Sequence, residues 1–158
     1  MVNLIDQCRK LLKSFGYAFR GIVFCLKNER NFRIHLSVGL DVLLYSLLCE
    51  LTNIEFALLF LTIGLVLAAE GLNTAIEKTV DLASPEIHPL AKIAKDTAAG
   101  SVLLLALAAI AVGVALFYPF AELKTIFTSP ILLLLALVLA VGELFFIFYI
   151  NPKTTDTE

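Results

Sequence analysis

Four stretches of the sequence are almost entirely apolar, and polar residues collect between them. The apolar stretches cover residues 34–51, 56–80, 97–118 and 131–150. A helix needs about 20 mostly apolar residues to cross a bilayer, so each stretch predicts a membrane-spanning helix. The breaks carry charged residues, proline or both, which predicts loops. These breaks are residues 50–55, 83–93 and 119–130.

The first 33 residues are amphipathic instead of uniformly apolar. At about 100° per residue, the apolar side chains between Leu4 and Leu26 share one face of a helix. The opposite face carries four cations: Arg9, Lys13, Arg20 and Lys27. The segment has no apolar core followed by a cleavage site, so it is not a signal peptide. We predict an interfacial helix over 1–33, either a simple anchor or part of a site, since an unbroken helix places Glu29 on its apolar side.

The composition requires a membrane environment. Of the 158 residues, 59% are hydrophobic and 16% are charged, and the mean hydropathy is +0.91. A soluble domain of this size buries only about two thirds of its surface, so this chain would expose large apolar patches. The predicted fold is therefore an all-α integral membrane protein. A net charge of -2 excludes a nucleic-acid binder that works by bulk charge. The three cysteines form no CxxC motif and predict packing instead of a disulfide framework or zinc site.

The distribution of cations predicts the orientation of the chain. Seven of the 12 Lys and Arg residues occur up to Arg33, three flank the 83–93 segment, and one lies in the tail. Only Lys124 falls in the 119–130 segment. Because positively charged segments stay in the cytoplasm, we expect the N-terminus, the 83–93 loop and the C-terminus on the cytoplasmic side.

Four polar residues continue the second apolar stretch on one helix face. They are separated by three, four and four positions: Glu70, Asn73, Glu77 and Asp81. An uncompensated charge near the bilayer centre costs about 2.5 to 3.5 kcal/mol, so such residues normally face protein, water or a cation. The alternative is a solvated face at the interface, which suits Asp81 and Glu77 better than Glu70.

This carboxylate stripe, joined by Glu29, would supply the hard oxygen ligands that suit Mg²⁺. Proteins usually bind Mg²⁺ through one or two carboxylates together with substrate phosphates, which points to a nucleotide. The chain has no GxxxxGK[ST] loop, kinase-type glycine loop or HRD segment, so another architecture must hold that nucleotide. The basic face of the first helix and Lys95 are candidate partners for its phosphates.

Three motifs together resemble the prokaryotic diacylglycerol kinase family of small membrane kinases. They are residues 28–35 (NERNFRIH), residues 70–77 (EGLNTAIE), and Asp81 followed by residues 94–96 (AKD). The resemblance runs from about Arg9 to Phe117. It implies a homotrimer of three-span subunits with a surface helix in the bacterial cytoplasmic membrane, using MgATP to phosphorylate the hydroxyl of a membrane lipid.

The resemblance also implies roles for individual residues. Glu70 resembles the catalytic base, Glu29 and Glu77 resemble the metal ligands, and Asn73 and Asp81 resemble supporting residues. The positions implied to contact ATP are Lys10, Tyr17, Glu29, Glu77, Glu86, His88, Lys95 and Asp96. His35 is expected to form a hydrogen bond at the interface and to have no catalytic role.

Two lipid substrates are open within the family. One branch phosphorylates diacylglycerol to phosphatidic acid, and the other phosphorylates undecaprenol to undecaprenyl phosphate. Residues 29–35, 81–84 and 95–100 are more similar to the undecaprenol branch, which we therefore expect. From the residues alone, a non-enzymatic ion-conducting or transporter subunit with a carboxylate relay is a further alternative.

The resemblance divides the chain into a family domain, 1–118, and a C-terminal extension, 119–158. The extension contains the predicted fourth span, over 131–150, which could be a bundle helix or a lid over a subunit groove. Two intramembrane acids have no assigned role: Asp41 in the first span and Glu143 in the fourth.

Overall fold

The computed structural model describes residues 3–118 and 121–149, and within these ranges the protein is built from helices without strands. Six helices follow in chain order: α1 (Leu4–Asn28), α2 (Arg30–Ser46), α3 (Asn53–Ala83), α4 (Pro89–Phe117), α5 (Ala121–Thr128) and α6 (Pro130–Tyr149). Three of them, α3, α4 and α6, are long and apolar enough to cross a membrane. This confirms the prediction of an all-α integral membrane protein.

Helix α2 is shorter than the span predicted over 34–51. It has 17 residues and ends at Ser46, where the side-chain hydroxyl donates a 2.6 Å hydrogen bond to the carbonyl of Leu43. The chain then continues in tightened turns as far as Cys49, each bonded to the carbonyl three residues earlier. Helix and turns together reach about 31 Å, close to the thickness of the hydrocarbon core.

The surface helix ends earlier than predicted, at Asn28 instead of residue 33. Glu29 is extended, with φ -108° and ψ 110°, and it links α1 to α2. The break is stabilised by the buried Arg33, whose Nη1 donates to the carbonyls of Leu26 and Lys27 at 3.2 and 3.1 Å. These carbonyls belong to the last turn of α1, where helical partners are missing. Glu29 therefore lies at a corner and not on a continuous apolar face.

Arg33 also ties this corner to the C-terminal extension. Its Nε and Nη2 donate to the carbonyl of Ile147 at 3.2 and 3.0 Å, near the C-terminal end of α6. A cation at that end also interacts favourably with the helix dipole. The corner between α1 and α2 and the end of α6 therefore lie at the same end of the bundle.

The remaining helices complete an antiparallel bundle. Helix α3 packs most extensively on α4 and also on α2, and it starts with a capping box between Thr52 and Glu55. The ring of Tyr45 lies 5.1 Å from that of Phe117, so the far ends of α2 and α4 meet. The segment 119–130, which we predicted as a loop, contains the short helix α5, and α5 packs on α6.

Helix α6 has the predicted position but little burial. Its 20 residues include no buried side chain, and it contacts α2 and α5. Its outward faces are apolar, so they suit lipid contact. The predicted final residue of this span, Ile150, lies outside the described residues, as does the C-terminal segment 151–158.

Candidate active site

Glu70 lies on α3, facing the interior of the bundle. It is only 3% exposed, and its Oε1 lies 3.1 Å from Nε2 of His35 on α2. The two helices approach closely one turn further along α2. There, a Cβ added to Gly39 would lie 2.9 Å from Cγ2 of Ile63 on α3. This glycine lets His35 reach across to Glu70, and the carboxylate buried in an apolar helix has a partner, as expected.

Two further carboxylates act electrostatically on Glu70. They belong to Glu29, at the corner between α1 and α2, and to Glu77, two turns further along α3. The three acids that the sequence singled out are therefore brought to one end of the bundle. The predicted stripe lies on α3, and the corner adds the carboxylate of Glu29 from a different element.

Asn73 links the stripe together through a helical contact. Its Nδ2 donates a 2.9 Å hydrogen bond to Oε1 of Glu77, a pairing that the four-residue spacing allows. Its Oδ1 is buried and has no hydrogen-bond partner. A buried acceptor without a donor is costly, so it marks a position where a cation or a donor would be favourable.

Glu29 has a cationic neighbour that we did not predict. The Nζ of Lys78 lies 4.0 Å from Oε1 of Glu29, and the lysine side chain is more than half exposed. An exposed pair of this length is weak. Glu29 therefore has a counter-charge that a stronger cation could replace.

The donor set at this end fits Mg²⁺. Within residues 3–118 and 121–149, no three His, Cys, Asp or Glu side chains are grouped tightly enough to hold an ion by themselves. Proteins usually bind Mg²⁺ through one or two carboxylates that act together with phosphates and water. Glu29, Glu77 and the unpaired Oδ1 of Asn73 offer hard oxygen atoms of this kind.

The end of α1 packs beside the same cluster. Cys25 is buried there against Thr74, and the Thr74 hydroxyl donates to the carbonyl of Glu70 at 3.0 Å. Burial is the main cause that raises the pKa of the Cys25 thiol above its ordinary value. Of the other cysteines, Cys8 is exposed and Cys49 is partly buried.

The residues expected to contact ATP lie in several places. Lys95, near the start of α4, forms an ion pair with Asp81 near the end of α3, so both belong to the same end as Glu77. His88 caps α4, its Nδ1 accepting from the Leu90 backbone N–H at 3.2 Å.

The other expected ATP contacts have exposed side chains. They are Lys10, Tyr17, Glu86 and Asp96. Tyr17 carries the guanidinium of Arg20 above its ring, 4.7 Å from the centroid. In the described part of the chain, no hydrogen bond or ion pair connects these four side chains to Glu29, Glu70 or Glu77.

Two apolar cavities flank the carboxylate cluster. One, of about 610 Å³, lies between α1, α2 and α3, with Gly71, Thr74 and Lys78 in its wall. The other, of about 590 Å³, lies between α2, α3 and α4 and extends from His35 towards Phe117. Both place apolar surface next to the acids, as a site for an amphipathic substrate requires.

Sequence reasoning missed three side-chain pairs. His35 was expected to bond at the interface but binds Glu70, and Lys78 was not considered as a partner of Glu29. Asp41 and Glu143, left unassigned, hydrogen-bond to each other between α2 and α6. One signal was present for the first pair: His35 and Gly39 are four residues apart, so a histidine and a close-approach position share one helix face.

Comparison with known proteins identifies the family. The profile of the prokaryotic diacylglycerol kinase family matches residues 16–117. An undecaprenol kinase from Bacillus subtilis is 44% identical over 114 residues, which cover 72% of this chain and 93% of that protein. A diacylglycerol kinase from Synechocystis is 49% identical over 118 residues, covering 74% and 67%. A diacylglycerol kinase from Pseudomonas aeruginosa is 35% identical over 88 residues, covering 56% and 72%. The matched region contains the whole cluster around Glu70, and the chain belongs to the prokaryotic diacylglycerol kinase family.

Proposed function

We propose that this protein transfers the γ-phosphoryl group of ATP to the hydroxyl of undecaprenol, producing undecaprenyl phosphate at the cytoplasmic face of the membrane. The observation that carries the proposal is the buried Glu70, bonded to His35 and placed between further carboxylates and apolar cavities. A proton acceptor, metal-binding oxygens and room for a lipid chain are thereby combined at one end of the bundle.

In the proposed reaction, Glu70 is the general base. A lipid alcohol is a weak nucleophile at neutral pH, so a carboxylate at hydrogen-bond distance that takes its proton assists attack on the γ-phosphorus. The new O–P bond forms as the bond to ADP breaks. Glu70 holds the proton until the product leaves. Burial of Glu70 excludes water, which would compete with the lipid hydroxyl.

The cation site would be formed by Glu29 and Glu77, with Asn73 orienting Glu77 and contributing its amide oxygen. When bound, Mg²⁺ neutralises the charge that develops on the phosphate oxygens. Lys95 is proposed to bind phosphate, with Asp81 holding its ammonium group in the absence of nucleotide. Lys10, Tyr17, Glu86, His88 and Asp96 stay proposals as further ATP contacts.

Undecaprenol is favoured over diacylglycerol by two observations. The relative from Bacillus subtilis, a protein named undecaprenol kinase, is matched over nearly its whole length. Residues 29–35, 81–84 and 95–100 are also more similar to the undecaprenol branch, whereas the apolar 590 Å³ cavity that begins at His35 suits the chain of either lipid. Diacylglycerol is the alternative, since the Synechocystis relative is named for that activity.

One assay tests the reaction and the choice of lipid. Purified protein in detergent is given labelled ATP, Mg²⁺ and either undecaprenol or diacylglycerol, at matched lipid-to-detergent ratios. We expect a higher kcat/KM with undecaprenol. A preference for diacylglycerol would overturn the substrate assignment, and no transfer to either lipid by folded protein would overturn the kinase assignment.

The orientation and the assembly are further parts of the proposal. The contacts of Arg33 and Glu29 place the α1–α2 corner, the end of α3 and the end of α6 together, and this end carries most of the cations. It is therefore proposed to be cytoplasmic. The family resemblance supports a homotrimer, which light scattering of the detergent complex would measure.

A further inference from the structure

The contact between His35 and Glu70 joins two helices at a constrained point. Nε2 of His35 lies 3.1 Å from Oε1 of Glu70, and the carboxylate is almost completely buried. The contact depends on the close approach of α2 and α3 at Gly39, where even one added methyl group would meet Ile63. The imidazole therefore reaches Glu70 from a fixed direction.

The surroundings of Glu70 make this hydrogen bond important. Glu29 and Glu77 both add negative potential at the carboxylate, and burial removes most of the water that would solvate it. Among the residues that the structure describes, His35 supplies the one side-chain hydrogen bond to the Glu70 carboxylate. Without this hydrogen bond, the buried Glu70 carboxylate would be free to rotate beside the like charges of Glu29 and Glu77.

We infer that His35 is a positioning residue, which holds Glu70 through an Nε2–H to Oε1 hydrogen bond and leaves Oε2 to accept the proton of the lipid hydroxyl. This inference rests on the proposed function of Glu70 as the base. His35 also lines the 590 Å³ cavity between α2, α3 and α4. It thus contacts both the base and the space proposed for the lipid chain.

Paired substitutions of His35 test this role by kinetics. His35→Leu removes the donor, whereas the amide of His35→Gln can place an N–H close to the same point. We expect kcat to fall about 10- to 100-fold in His35→Leu, because a hydrogen bond to a buried charge is lost. We expect His35→Gln to recover to within a few-fold of the wild-type kcat. The KM for ATP should stay constant in both variants, since the binding of ATP does not depend on the orientation of the Glu70 carboxylate.

A geometric variant and a control make the test specific. Gly39→Ala pushes α2 away from α3 and should lower kcat in the same direction while His35 is intact. Leu40 is exposed on the same helix, and Leu40→Ala should keep kcat within about twofold, as surface substitutions do. Thermal unfolding in detergent shows whether each variant is folded. Equal losses in folded His35→Leu and His35→Gln, or an unchanged kcat in His35→Leu, would overturn the positioning role.

Spectroscopy separates this inference from the proposed function. In protein labelled with ¹⁵N-histidine, the Nε2 resonance of His35 should shift in Glu70→Leu, because the hydrogen bond is gone. No shift would overturn the inference whatever the enzyme does. If the shift is seen but the folded wild-type protein phosphorylates neither lipid, the kinase proposal is rejected. Any role of His35 in that reaction is then rejected with it, while the hydrogen bond between His35 and Glu70 stands.

Discussion

Two carboxyl groups within helices of the bundle contact partners of different chemistry. Glu70 on α3 is bonded to an imidazole, whereas Glu143 on α6 is bonded to the carboxyl group of Asp41 on α2. An imidazole N–H can donate to a charged carboxylate, but two carboxyl groups can form a hydrogen bond only if one keeps its proton. The first arrangement leaves a carboxylate that can accept a proton, and the second joins two helices.

The two sites also belong to different parts of the chain. Glu70 and its neighbours lie within residues 16–117, which the family profile matches. Glu143 lies beyond that region, on a helix whose polar contacts to α2 are Asp41 with Glu143 and Arg33 with Ile147. We infer that the carboxyl pair is structural, because it joins α6 to α2 and because Glu143 lies outside the region that the family profile matches. Matched substitutions at the two acids test this division.

The largest effect is expected for Glu70→Gln. The amide cannot accept the proton of the hydroxyl, so turnover should fall by about 10²- to 10⁴-fold while ATP binding persists. Labelled-phosphate transfer and equilibrium ATP binding measure the two quantities. The matched control is Glu143→Gln, in which the amide N–H replaces the carboxyl proton towards Asp41 and activity should persist. An active Glu70→Gln, or an inactive but folded Glu143→Gln, would reverse the comparison.

A second acid at the Glu70 end should show a different defect. Glu77→Gln removes one proposed metal ligand and its charge, so the Mg²⁺ concentration for half-maximal activity should rise about tenfold or more. The kcat at saturating Mg²⁺ should fall less than in Glu70→Gln. Titration of activity with Mg²⁺ at fixed ATP measures this shift. An unchanged midpoint would remove Glu77 from the metal site.

The carboxyl pair should instead affect stability. Asp41→Leu leaves Glu143 without its partner and should lower the free energy of unfolding by about 0.5 to 2 kcal/mol, the range of hydrogen bonds within membranes. Asp41→Asn keeps a hydrogen-bonding group and should cost less. Unfolding of the detergent-solubilised protein by SDS measures both variants. If Asp41→Leu were as stable as the wild type, the pair would contribute nothing to the docking of α6.

Much of the architecture and the carboxylate stripe could be predicted because both follow from local periodicity. Long apolar runs determine where α3, α4 and α6 form, and the spacing of Glu70, Asn73 and Glu77 determines that they share one face. The family resemblance added expected roles for them. Neither required knowledge of how helices pack.

The missed side-chain pairs all depend on contacts between separate helices. Arg33 ends α1 at Asn28 by reaching back to two carbonyls, and it also bonds to Ile147, 114 residues away. The partners of Glu70 and Glu143 come from other helices as well. Periodicity says which face is polar but not which face of another helix meets it. Gly39 was the closest indication, since a glycine in an apolar helix permits a close approach.

The smallest expected effect concerns how far water is excluded from the Glu70 end of the bundle. Burial raises the pKa of the Cys25 thiol, so less thiolate is present at pH 8 and alkylation should be several-fold slower than at the exposed Cys8. The rate at Cys25 should continue to rise with pH after that at Cys8 has levelled off. Single-cysteine variants in a Cys49→Ser background, followed by mass spectrometry, measure each rate. Equal rates and pH profiles would mean that water reaches the end of α1 freely. The Glu70 end would then be no drier than the surface helix, and exclusion of water could not give the proposed reaction a preference for the lipid hydroxyl over hydrolysis.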